Sequence, residues 1–475
     1  MLALVCIAQF MVVLDVSVVN VALPSIGRDL HYTSTGLQWV VNAYVLTFAG
    51  FLLLGGRTAD LYGRRRVFIG GLALFSLASL ACGFAHTATE LTAARAVQGL
   101  GGAVLSPATL TIIMTTFTDG KERHRAIGMW SAVAGAGGAS GALLGGILTN
   151  GLGWQWVFFI NVPIGSVAIA ASYVLLNETR SLDANRSLDV AGAITATGGL
   201  SALVYAIVGT DKYAWGSAHT LIPLAISVVL LAVFLVIQAR VAKAPLMPLE
   251  LFRSRSVSVA NLVMALLGVV FFSMWYFLTL YMQDVHGYGP LKAGLLFFPM
   301  GVSIIIGAQI AARLVTEWGP RRVLAIGLAI GAGGFVWLAQ LDASSSYAEG
   351  VLPGSLMTTF GAGLCFTPLA AAAMSGVPMQ LAGLASGVLN TARQVGGSIG
   401  LAALATLATT RAHTLLASHH SRGAALTDGF DRAFLVAAAV TVAALGVTAL
   451  LPRRGRPSGE AAPTELGTPT PALAE

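Results

Sequence analysis

Charged residues and cysteines are scarce in this chain. Asp, Glu, Lys and Arg together make up 10% of its 475 residues, whereas a soluble domain carries about 25%. Its three cysteines all fall inside long apolar runs, so the sequence offers no disulfide framework. It also has no GxxxxGK[ST] phosphate-binding loop, which argues against ATP as the energy source. A soluble globular domain, a disulfide-stabilised fold and an ATP-driven pump are therefore disfavoured.

Apolar segments long enough to cross a bilayer fill the chain instead, and 56% of its residues are hydrophobic. A hydrocarbon core about 30 Å thick needs roughly 20 apolar residues per helix. Only helices and closed barrels satisfy the backbone in that medium, and these runs are too long for barrel strands. We therefore predict an all-α polytopic membrane protein with 14 spans, at residues 2–24, 36–58, 66–86, 90–117, 125–150, 154–177, 189–209, 220–240, 256–284, 290–314, 320–341, 350–374, 384–410 and 430–451.

Lysines and arginines cluster in alternate loops between the predicted spans. If the N-terminus lies in the cytoplasm, most of the 27 fall in inside loops or in the tail. Positive charge is retained on the cytoplasmic side of a membrane, so we predict that both termini are cytoplasmic. The net charge of +7 is then a topology signal and does not indicate nucleic-acid binding. The predicted location is the inner (cytoplasmic) membrane of a bacterial cell.

The spans are expected to form two lobes of six helices with two extra helices between them. We predict an N-terminal lobe at residues 1–177, a segment at 178–255 with two lipid-facing helices and a short interfacial helix, and a C-terminal lobe at 256–451. Residues 452–475 are rich in Pro, Ala and Thr and are predicted to be a disordered cytoplasmic tail. A faint repeat of segment 56–66 at 312–322 supports the two-lobe arrangement, which is typical of transporters.

Asp15 is the one acidic residue that lies clearly within the hydrocarbon region. A charge at the bilayer centre costs at least about 2.5–3.5 kcal/mol, so such residues usually have a function. Because burial favours the neutral acid, Asp15 is a candidate for binding and releasing a proton. Arg95, a few residues into the fourth span, is its natural partner if the two helices touch. The alternatives are a permanent structural ion pair and an arginine that only braces backbone carbonyls.

A charged loop joins the second and third spans. It reads GRTADLYGRRR over residues 56–66, and its aspartate can cap a helix N-terminus or pair with arginine. We predict that this loop is a conformational latch, held in one state and released in another. The latch residues are Gly56, Asp60, Gly63, Arg64 and Arg65. Positive-inside anchoring alone is the alternative.

The fifth span is unusually rich in glycine. Gly137, Gly141, Gly145 and Gly146 would let neighbouring helices approach closely, slide or bend. We predict that this motif serves the transport cycle, and a plain packing seam is the alternative.

Polar and aromatic residues inside the spans are candidates for a substrate cavity. Amides supply hydrogen bonds, and aromatic rings can hold a flat cation or a greasy compound by stacking and cation–π contact. Ordinary packing explains the aromatic residues equally well. The candidates are Gln38, Asn42, Gln98, Trp275, Tyr276, Gln309, Asn390 and Arg393. No metal site is predicted, since His413, His419 and His420 fall in an outer loop.

These motifs resemble those of the major facilitator superfamily, and within it the fourteen-helix drug:proton antiporters. The similar segments are LDVSVVNVALP at 14–24, the loop at 56–66, RAVQG at 95–99, the glycine stretch at 137–146, WQWVFFINVP at 154–163 and residues 386–394. Thr58 stands where the loop motif usually has leucine, and Ala142 where the glycine motif has proline. Asn42 stands where some multidrug members carry a second acid.

The resemblance implies a secondary active transporter rather than an enzyme, driven by the proton gradient and without a cofactor. With one central acid, the simplest mechanism exchanges one proton for one substrate by alternating access, with Asp15 and Arg95 carrying the proton. The expected substrates are hydrophobic or monocationic organic compounds such as antibiotics, exported by a monomer. A proton-coupled importer or exporter of another small metabolite on the same fold is the alternative.

Overall fold

The computed structural model describes residues 1–451, except residues 34, 118–119, 177, 179–187, 376 and 378–380. The side chains of residues 60, 120–121, 123–124, 127–128, 131–132, 134–136, 138–139 and 382–383 are also outside the described part. The predicted tail at 452–475 and residues 179–187, near the beginning of the predicted middle segment 178–255, therefore lie outside the described residues.

Long helices account for nearly all of the described chain, and no strand occurs in it. We number fourteen of them α1 to α14, with the bounds Leu2–Asp29, Trp39–Tyr62, Arg64–Gly83, Ala88–Thr116, Gly120–Gly151, Trp156–Leu175, Val190–Gly209, Ala218–Val241, Arg255–Val285, Pro290–Trp318, Pro320–Leu338, Tyr347–Met374, Ala382–Ala417 and Arg422–Thr448. Among the described residues, 13 helices are long and apolar enough to cross a membrane. These are all of the fourteen except α5. The predicted all-α polytopic membrane fold is confirmed.

Local signals mark several helix ends. A capping box begins α4, where the Glu90 N–H donates to Thr87 Oγ1 at 3.2 Å and the Thr87 N–H donates to Glu90 Oε2 at 3.3 Å. Asp189 caps α7 by accepting from the Gly192 N–H at 2.7 Å. Such caps satisfy backbone donors that have no partner within the helix. They fix where each span emerges from the apolar medium.

The first six and the last six helices pack in the same pattern. In the first half α1 lies against α5 and α6, α2 against α4, and α3 against α4 and α6. In the second half α9 lies against α13 and α14, α10 against α12, and α11 against α12 and α14. Each contact of the first half thus has its counterpart eight helices later. This correspondence is what an internal repeat of six helices produces.

The two middle helices sit outside this repeat. Helix α8 packs mainly on α7 and leaves many apolar side chains exposed along its length, which suits a surface in lipid. Helix α7 reaches the interior, where Thr197 lies against Gly50 of α2 and Val204 packs with Leu46 of α2 and Ala402 of α13. In the linker that follows, the short interfacial helix expected there is a single 3-10 turn, Leu249–Arg253, with Leu251 buried.

The two halves contact each other at the C-terminal ends of α1 and α9. There the Gln283 side-chain amide donates to the Val21 carbonyl at 2.7 Å. Arg28 and Asp284 form an ion pair with an Nη1–Oδ1 distance of 3.8 Å. Helix α5 also packs on the beginning of α10. This end of the bundle is therefore bridged by polar contacts from one half to the other.

Candidate functional site

A buried ion pair between Asp15 and Arg95 lies in the middle of the first half. Arg95 Nη1 donates to Asp15 Oδ2 at 2.6 Å, and each residue is 1% exposed. Asp15 lies about 20 Å from either end of α1, at 1.5 Å per residue. The structure thus brings together the two charged residues that the sequence singled out, at the depth where a charge is least tolerated.

Two side-chain amides complete the surroundings of the Asp15 carboxylate. Gln98 Nε2 donates to Oδ1 at 2.8 Å, and Asn161 Nδ2 donates to the same oxygen at 2.9 Å. With Arg95, three donors therefore point at the carboxylate. An ionised carboxylate only accepts hydrogen bonds, so this arrangement fits the ionised form of Asp15 in this state.

The Arg95 guanidinium has further partners besides Asp15. Its Nε donates to the Val40 carbonyl of α2 at 3.0 Å, and its Nη1 donates to Gln98 Oε1 at 2.7 Å. The guanidinium carbon lies 4.3 Å from the centre of the Tyr44 ring and 5.7 Å from that of Phe158. Cation–π contact of this kind stabilises a desolvated cation. Residues of α1, α2, α4 and α6 form this group, and Ser79 adds α3.

Asn161 and Ser79 belong to the site although the sequence analysis assigned them no role. Asn161 Nδ2 also donates to Ser79 Oγ at 3.0 Å, and Ser79 Oγ donates to the Phe158 carbonyl at 2.8 Å. A turn at Ile160 interrupts α6 just before Asn161. The available signal was an amide inside the WQWVFFINVP segment, at the edge of a predicted span.

This geometry couples the charge of one carboxylate to the packing of several helices. Protonating Asp15 removes the charge that holds Arg95. Leaving one member of a buried pair uncompensated costs about 3–5 kcal/mol, which is enough to favour a different arrangement of the helices. The site is therefore suited to convert proton binding into a conformational change.

The polar cavity candidates of the first half fall into two groups. Gln98 belongs to the ion-pair network described above. Gln38 and Asn42 on α2 are fully buried, and none of their side-chain amide atoms has a partner among the described residues. In the second half Gln309 is exposed, on the same stripe of α10 as the exposed Val302 and Ile305. The structure does not bring Gln309 to the other candidates.

The aromatic candidates lie in a cluster on α9. Trp275 is partly buried, with its ring 4.9 Å from that of Phe297 and 6.2 Å from that of Phe271. Tyr276 points to a different neighbour, since its ring packs edge-on against Phe277 at 5.5 Å and it is 2% exposed. Trp275 is therefore accessible to a ligand in this state, and Tyr276 is part of the packed core.

The last two cavity candidates contact each other on α13. Arg393 Nη2 donates to Asn390 Oδ1 at 2.8 Å, and both side chains are partly buried. They place a cation and an amide within the second half.

The predicted latch residue Gly63 lies at a sharp join between α2 and α3. Its φ of 102° favours glycine, and a Cβ there would collide with the Glu178 carboxylate. Glu178 also pairs with Arg66 at 3.5 Å, and the Arg65 guanidinium lies 5.2 Å from the centre of the Tyr173 ring. The end of α6 thus docks on the join through an acid that the sequence analysis did not assign.

The remaining latch residues surround this join. Gly56 faces Pro107 of α4, and Arg64 is engaged by a neighbouring group. The side chain of Asp60 lies outside the described residues.

The glycines of α5 face two different helices. A Cβ at Gly137, Gly141 or Gly145 would press on α1, whereas one at Gly146 would meet the Pro290 backbone of α10. Helix α5 therefore packs closely on α1, the helix that carries Asp15. At Gly146, the residue after Gly145, it packs closely on the other half of the molecule.

The comparison with known families decides which proteins this chain is related to. The sequence model of the Major Facilitator Superfamily matches residues 5–401. The chain belongs to this superfamily. Its members are membrane transporters, so the chain is a transporter and not an enzyme.

Bacterial members of the superfamily are similar to this chain over most of their length. A cephamycin export protein of Amycolatopsis lactamdurans is 45% identical, over 88% of this chain and 87% of its own. A puromycin resistance protein of Streptomyces alboniger is 39% identical, over 95% and 90%. The multidrug resistance protein Stp of Mycobacterium tuberculosis is 36% identical, over 84% and 73%. These bacterial relatives imply that the superfamily member described here resides in a cell membrane.

Solved structures of more distant proteins share the fold. A bacterial homologue of the human lysosomal transporter Spinster, in an inward-facing and unoccupied conformation, superposes with a TM-score of 0.68 at 14% identity. The alignment covers 94% of this chain and 95% of that one. A peptide transporter matches with a TM-score of 0.67 at 16% identity, over the same shares of the two chains. At these identities the likeness establishes the superfamily fold alone.

Proposed function

We propose that this protein exports hydrophobic, antibiotic-like organic compounds across the bacterial cell membrane in exchange for protons. Its similarity to a cephamycin export protein, a puromycin resistance protein and a multidrug resistance protein supports export. The exchange for protons rests on one observation. The Asp15 carboxylate is buried at the middle of a span and is held by Arg95, Gln98 and Asn161 together.

Proton binding to Asp15 drives the conformational change in this proposal. The proton enters from outside, neutralises the carboxylate and releases Arg95 from its ion pair. Helices α1 and α4 then separate locally, and α5, which packs on α1 through its glycines, follows. Substrate leaves outward as the proton is taken up, and the proton is released into the cytoplasm in the opposite state.

The two halves of the molecule provide the alternating access. Their repeated packing lets each half move as a unit, as in transporters built from repeats. One carboxylate at the centre gives one proton for each substrate. We propose further that both termini are cytoplasmic, that no cofactor takes part, and that one chain suffices for transport.

The charge of the substrate depends on whether Asp15 is free to balance it. The expectation of a monocationic substrate depends on Asp15 being free to balance a positive charge. In the structure Arg95 already balances Asp15 at 2.6 Å, and the pair is closed to solvent. We therefore propose a hydrophobic substrate, and Asp15 does not support a positive charge on that substrate.

Replacing the central acid tests the function. Asp15→Asn keeps the shape of the side chain and one of its two acceptor oxygens, but it replaces the other oxygen with an amide donor and cannot bind or release a proton. We expect proton-driven export to fall to background while the protein still inserts. The measurement uses everted membrane vesicles of an efflux-deficient bacterium, screened with a panel of antibiotics and dyes.

Asp189→Asn is the matched control. Asp189 is also a buried acid that accepts two hydrogen bonds, but it lies at the beginning of α7, outside the ion-pair network. This variant should retain export. Full proton-driven transport by Asp15→Asn would show that the proton site lies elsewhere, and the absence of any exported compound from the wild-type panel would refute the function itself.

A further inference from the structure

Arg393 is a cation in the middle of the second half. A Cβ at Gly268 of α9 would collide with the Arg393 carbonyl, so α9 and α13 touch at this level. Gly268 lies about 20 Å from the beginning of α9 and about 26 Å from its end, at 1.5 Å per residue. Arg393 therefore sits near the middle of a span, where an unbalanced charge costs at least about 2.5–3.5 kcal/mol.

Among the described residues, Arg393 forms no ion pair, and Asn390 is its one side-chain partner. Its Nε is buried without a hydrogen-bond partner in this part of the chain. Nearby on the same helix, Thr391 Oγ1, Gln394 Oε1 and Ser398 Oγ are likewise buried and unpartnered among the described residues. The region thus presents hydrogen-bonding groups and a positive charge that the fold itself does not satisfy.

Among the described residues, the helices packed against α13 bring no acid to this level. On α14, Asp428 pairs with Arg411, which lies about 27 Å further along α13 than Arg393, and Asp431 lies about one turn closer. The one acid of α12, Glu349, lies at the beginning of that helix. Helix α7 and α13 itself have no acidic residue, and on α9 the first one is Asp284, at its far end.

Helices α2 and α13 touch where Leu53 of α2 faces Gly387 of α13. From this contact, Asp60 lies about 10 Å along α2 in one direction, and Arg393 lies about 9 Å along α13 in the opposite direction. Asp60 is therefore too far along the bundle to balance Arg393.

Arg95 shows how an arginine inside this membrane protein is balanced when the fold supplies its partners. It has an ion pair with Asp15, hydrogen bonds to Val40 and Gln98, and an aromatic ring beneath its guanidinium. Arg393 donates one side-chain hydrogen bond among the described residues, to the amide oxygen of Asn390. An arginine whose charge the fold itself balances would resemble Arg95. The contrast indicates that the partner of Arg393 comes from outside the chain.

We propose that Arg393 binds a single negative charge, a carboxylate, on the hydrophobic compound that the protein exports. The guanidinium presents a planar fork of donors that matches a carboxylate in a bidentate manner. Asn390 orients the guanidinium from one side. This inference rests on the proposed export function and names the charge of its substrate.

An aromatic surface lies one turn away and suits the rest of such a compound. Gly397, four residues after Arg393, lies directly against the Phe272 ring. Phe272 contacts Phe271, whose ring in turn lies 6.2 Å from that of Trp275. All three rings are partly buried rather than sealed in the core. A flat apolar body can therefore stack here while its carboxylate reaches Arg393.

The test compares substrates that differ in charge. Compounds on the efflux panel are sorted into carboxylate-bearing, neutral and cationic groups, and the methyl ester of each exported carboxylate is added as an uncharged analogue. We expect carboxylate-bearing compounds among those exported with dependence on Asp15. Arg393→Gln should reduce their export by at least about tenfold, which corresponds to losing roughly 1.4 kcal/mol of binding. Export of the esters and of neutral compounds should stay within about twofold of wild type.

Two further variants separate binding from folding. Arg393→Lys keeps the charge without the fork and should restore part of the carboxylate export. Arg411→Gln is the matched control, because Arg411 lies on the same helix and already pairs with Asp428 at 2.6 Å. It should leave the substrate profile unchanged.

The outcomes separate this inference from the function on which it rests. Unchanged carboxylate export by Arg393→Gln, or a wild-type panel of exported compounds without any negative charge, would overturn the role of Arg393 and leave drug export intact. Asp15-dependent export of no compound at all would refute the export function itself. Equal loss for esters and acids in Arg393→Gln would also overturn the inference, since it would assign Arg393 a structural role.

Discussion

Three donors and a proton compete for the Asp15 carboxylate. Arg95 supplies the opposite charge, and Gln98 and Asn161 orient the carboxylate. A hydrogen bond to a charged group contributes about 1.5–3 kcal/mol, so the ion pair and not either amide dominates the balance. In the proposed exchange for protons, Arg95 is therefore the residue that we expect to control proton binding to Asp15.

Substitutions of Arg95 test this balance. Arg95→Ala leaves the ionised Asp15 uncompensated, so the neutral acid gains stability and transport should depend on protons at a higher pH than in wild type. Arg95→Lys keeps a positive charge near Asp15 and should shift the pH profile less. Turnover should fall more in Arg95→Ala than in Arg95→Lys. The pH dependence of export in vesicles measures both effects, and identical profiles for Arg95→Ala and wild type would show that the two residues are not coupled.

The pairing of Asp15 with Arg95 could be predicted because both are charged, both lie within spans and their depths agree. Asn161 and Ser79 could not be assigned in this way. An uncharged polar side chain is tolerated in many places in a membrane helix, and hydropathy carries no information on the direction in which it points. Only the packed structure shows that Asn161 points at the carboxylate.

At the scale of elements, the two halves share a join between their second and third helices. Gly63 connects α2 to α3 with a φ of 102°, and Gly319 connects α10 to α11 with a φ of 77°. The difference lies in what surrounds them. Glu178 packs against Gly63, whereas no atom of the described residues lies within 4 Å of a Cβ position at Gly319. The first join is therefore a docking point for the end of α6, and the second is a bare turn.

Alanine at the two joins separates strain from docking. Both substitutions force a side chain into a conformation that costs about 1–3 kcal/mol, but only Gly63→Ala also displaces Glu178. We expect Gly63→Ala to slow turnover more than Gly319→Ala, with little change in substrate affinity, since the join is far from Arg393 and Asp15. Turnover is measured by counterflow in proteoliposomes and affinity by binding to purified protein. Equal effects of the two substitutions would remove the assigned role of Glu178.

The spans could be located from the sequence because a long apolar run is a strong signal. The predicted ends of two spans differ from the observed helix ends at a place where two charged side chains pair. Helix α13 runs to Ala417 and α14 begins at Arg422, beyond the predicted bounds of 410 and 430. Arg411 and Asp428 pair at 2.6 Å across these extensions. Two charges that neutralise each other let helices continue past the apolar run, and this pairing is visible only after the helices are packed.

At the scale of the whole molecule, the charges of the two halves do not match. The first half contains a neutralised pair, Asp15 and Arg95, and the second half contains Arg393, which has no acidic partner among the described residues. With Asp15 ionised and an anion on Arg393, both halves are electrically balanced, whereas proton uptake by Asp15 and release of the anion leave one uncompensated arginine in each half. Proton and substrate then occupy different halves and communicate through the contacts of α1 and α5 with α9 and α10.

This separation predicts how transport responds to the membrane potential. One proton moving inward and one anion moving outward carry two positive charges inward in each cycle. Each charge is worth about 2.3 kcal/mol per 100 mV, so a negative interior should favour export of a carboxylate by about 4.6 kcal/mol at 100 mV. The methyl ester of the same compound carries one charge less and should respond half as strongly, whereas one-for-one exchange of a cation would not respond at all. Proteoliposomes with a potassium diffusion potential set by valinomycin measure the steady-state accumulation of acid and ester side by side. Accumulation of the acid that is insensitive to the potential would contradict the exchange of one proton for one anion, because no balanced cycle of that kind is electrically neutral.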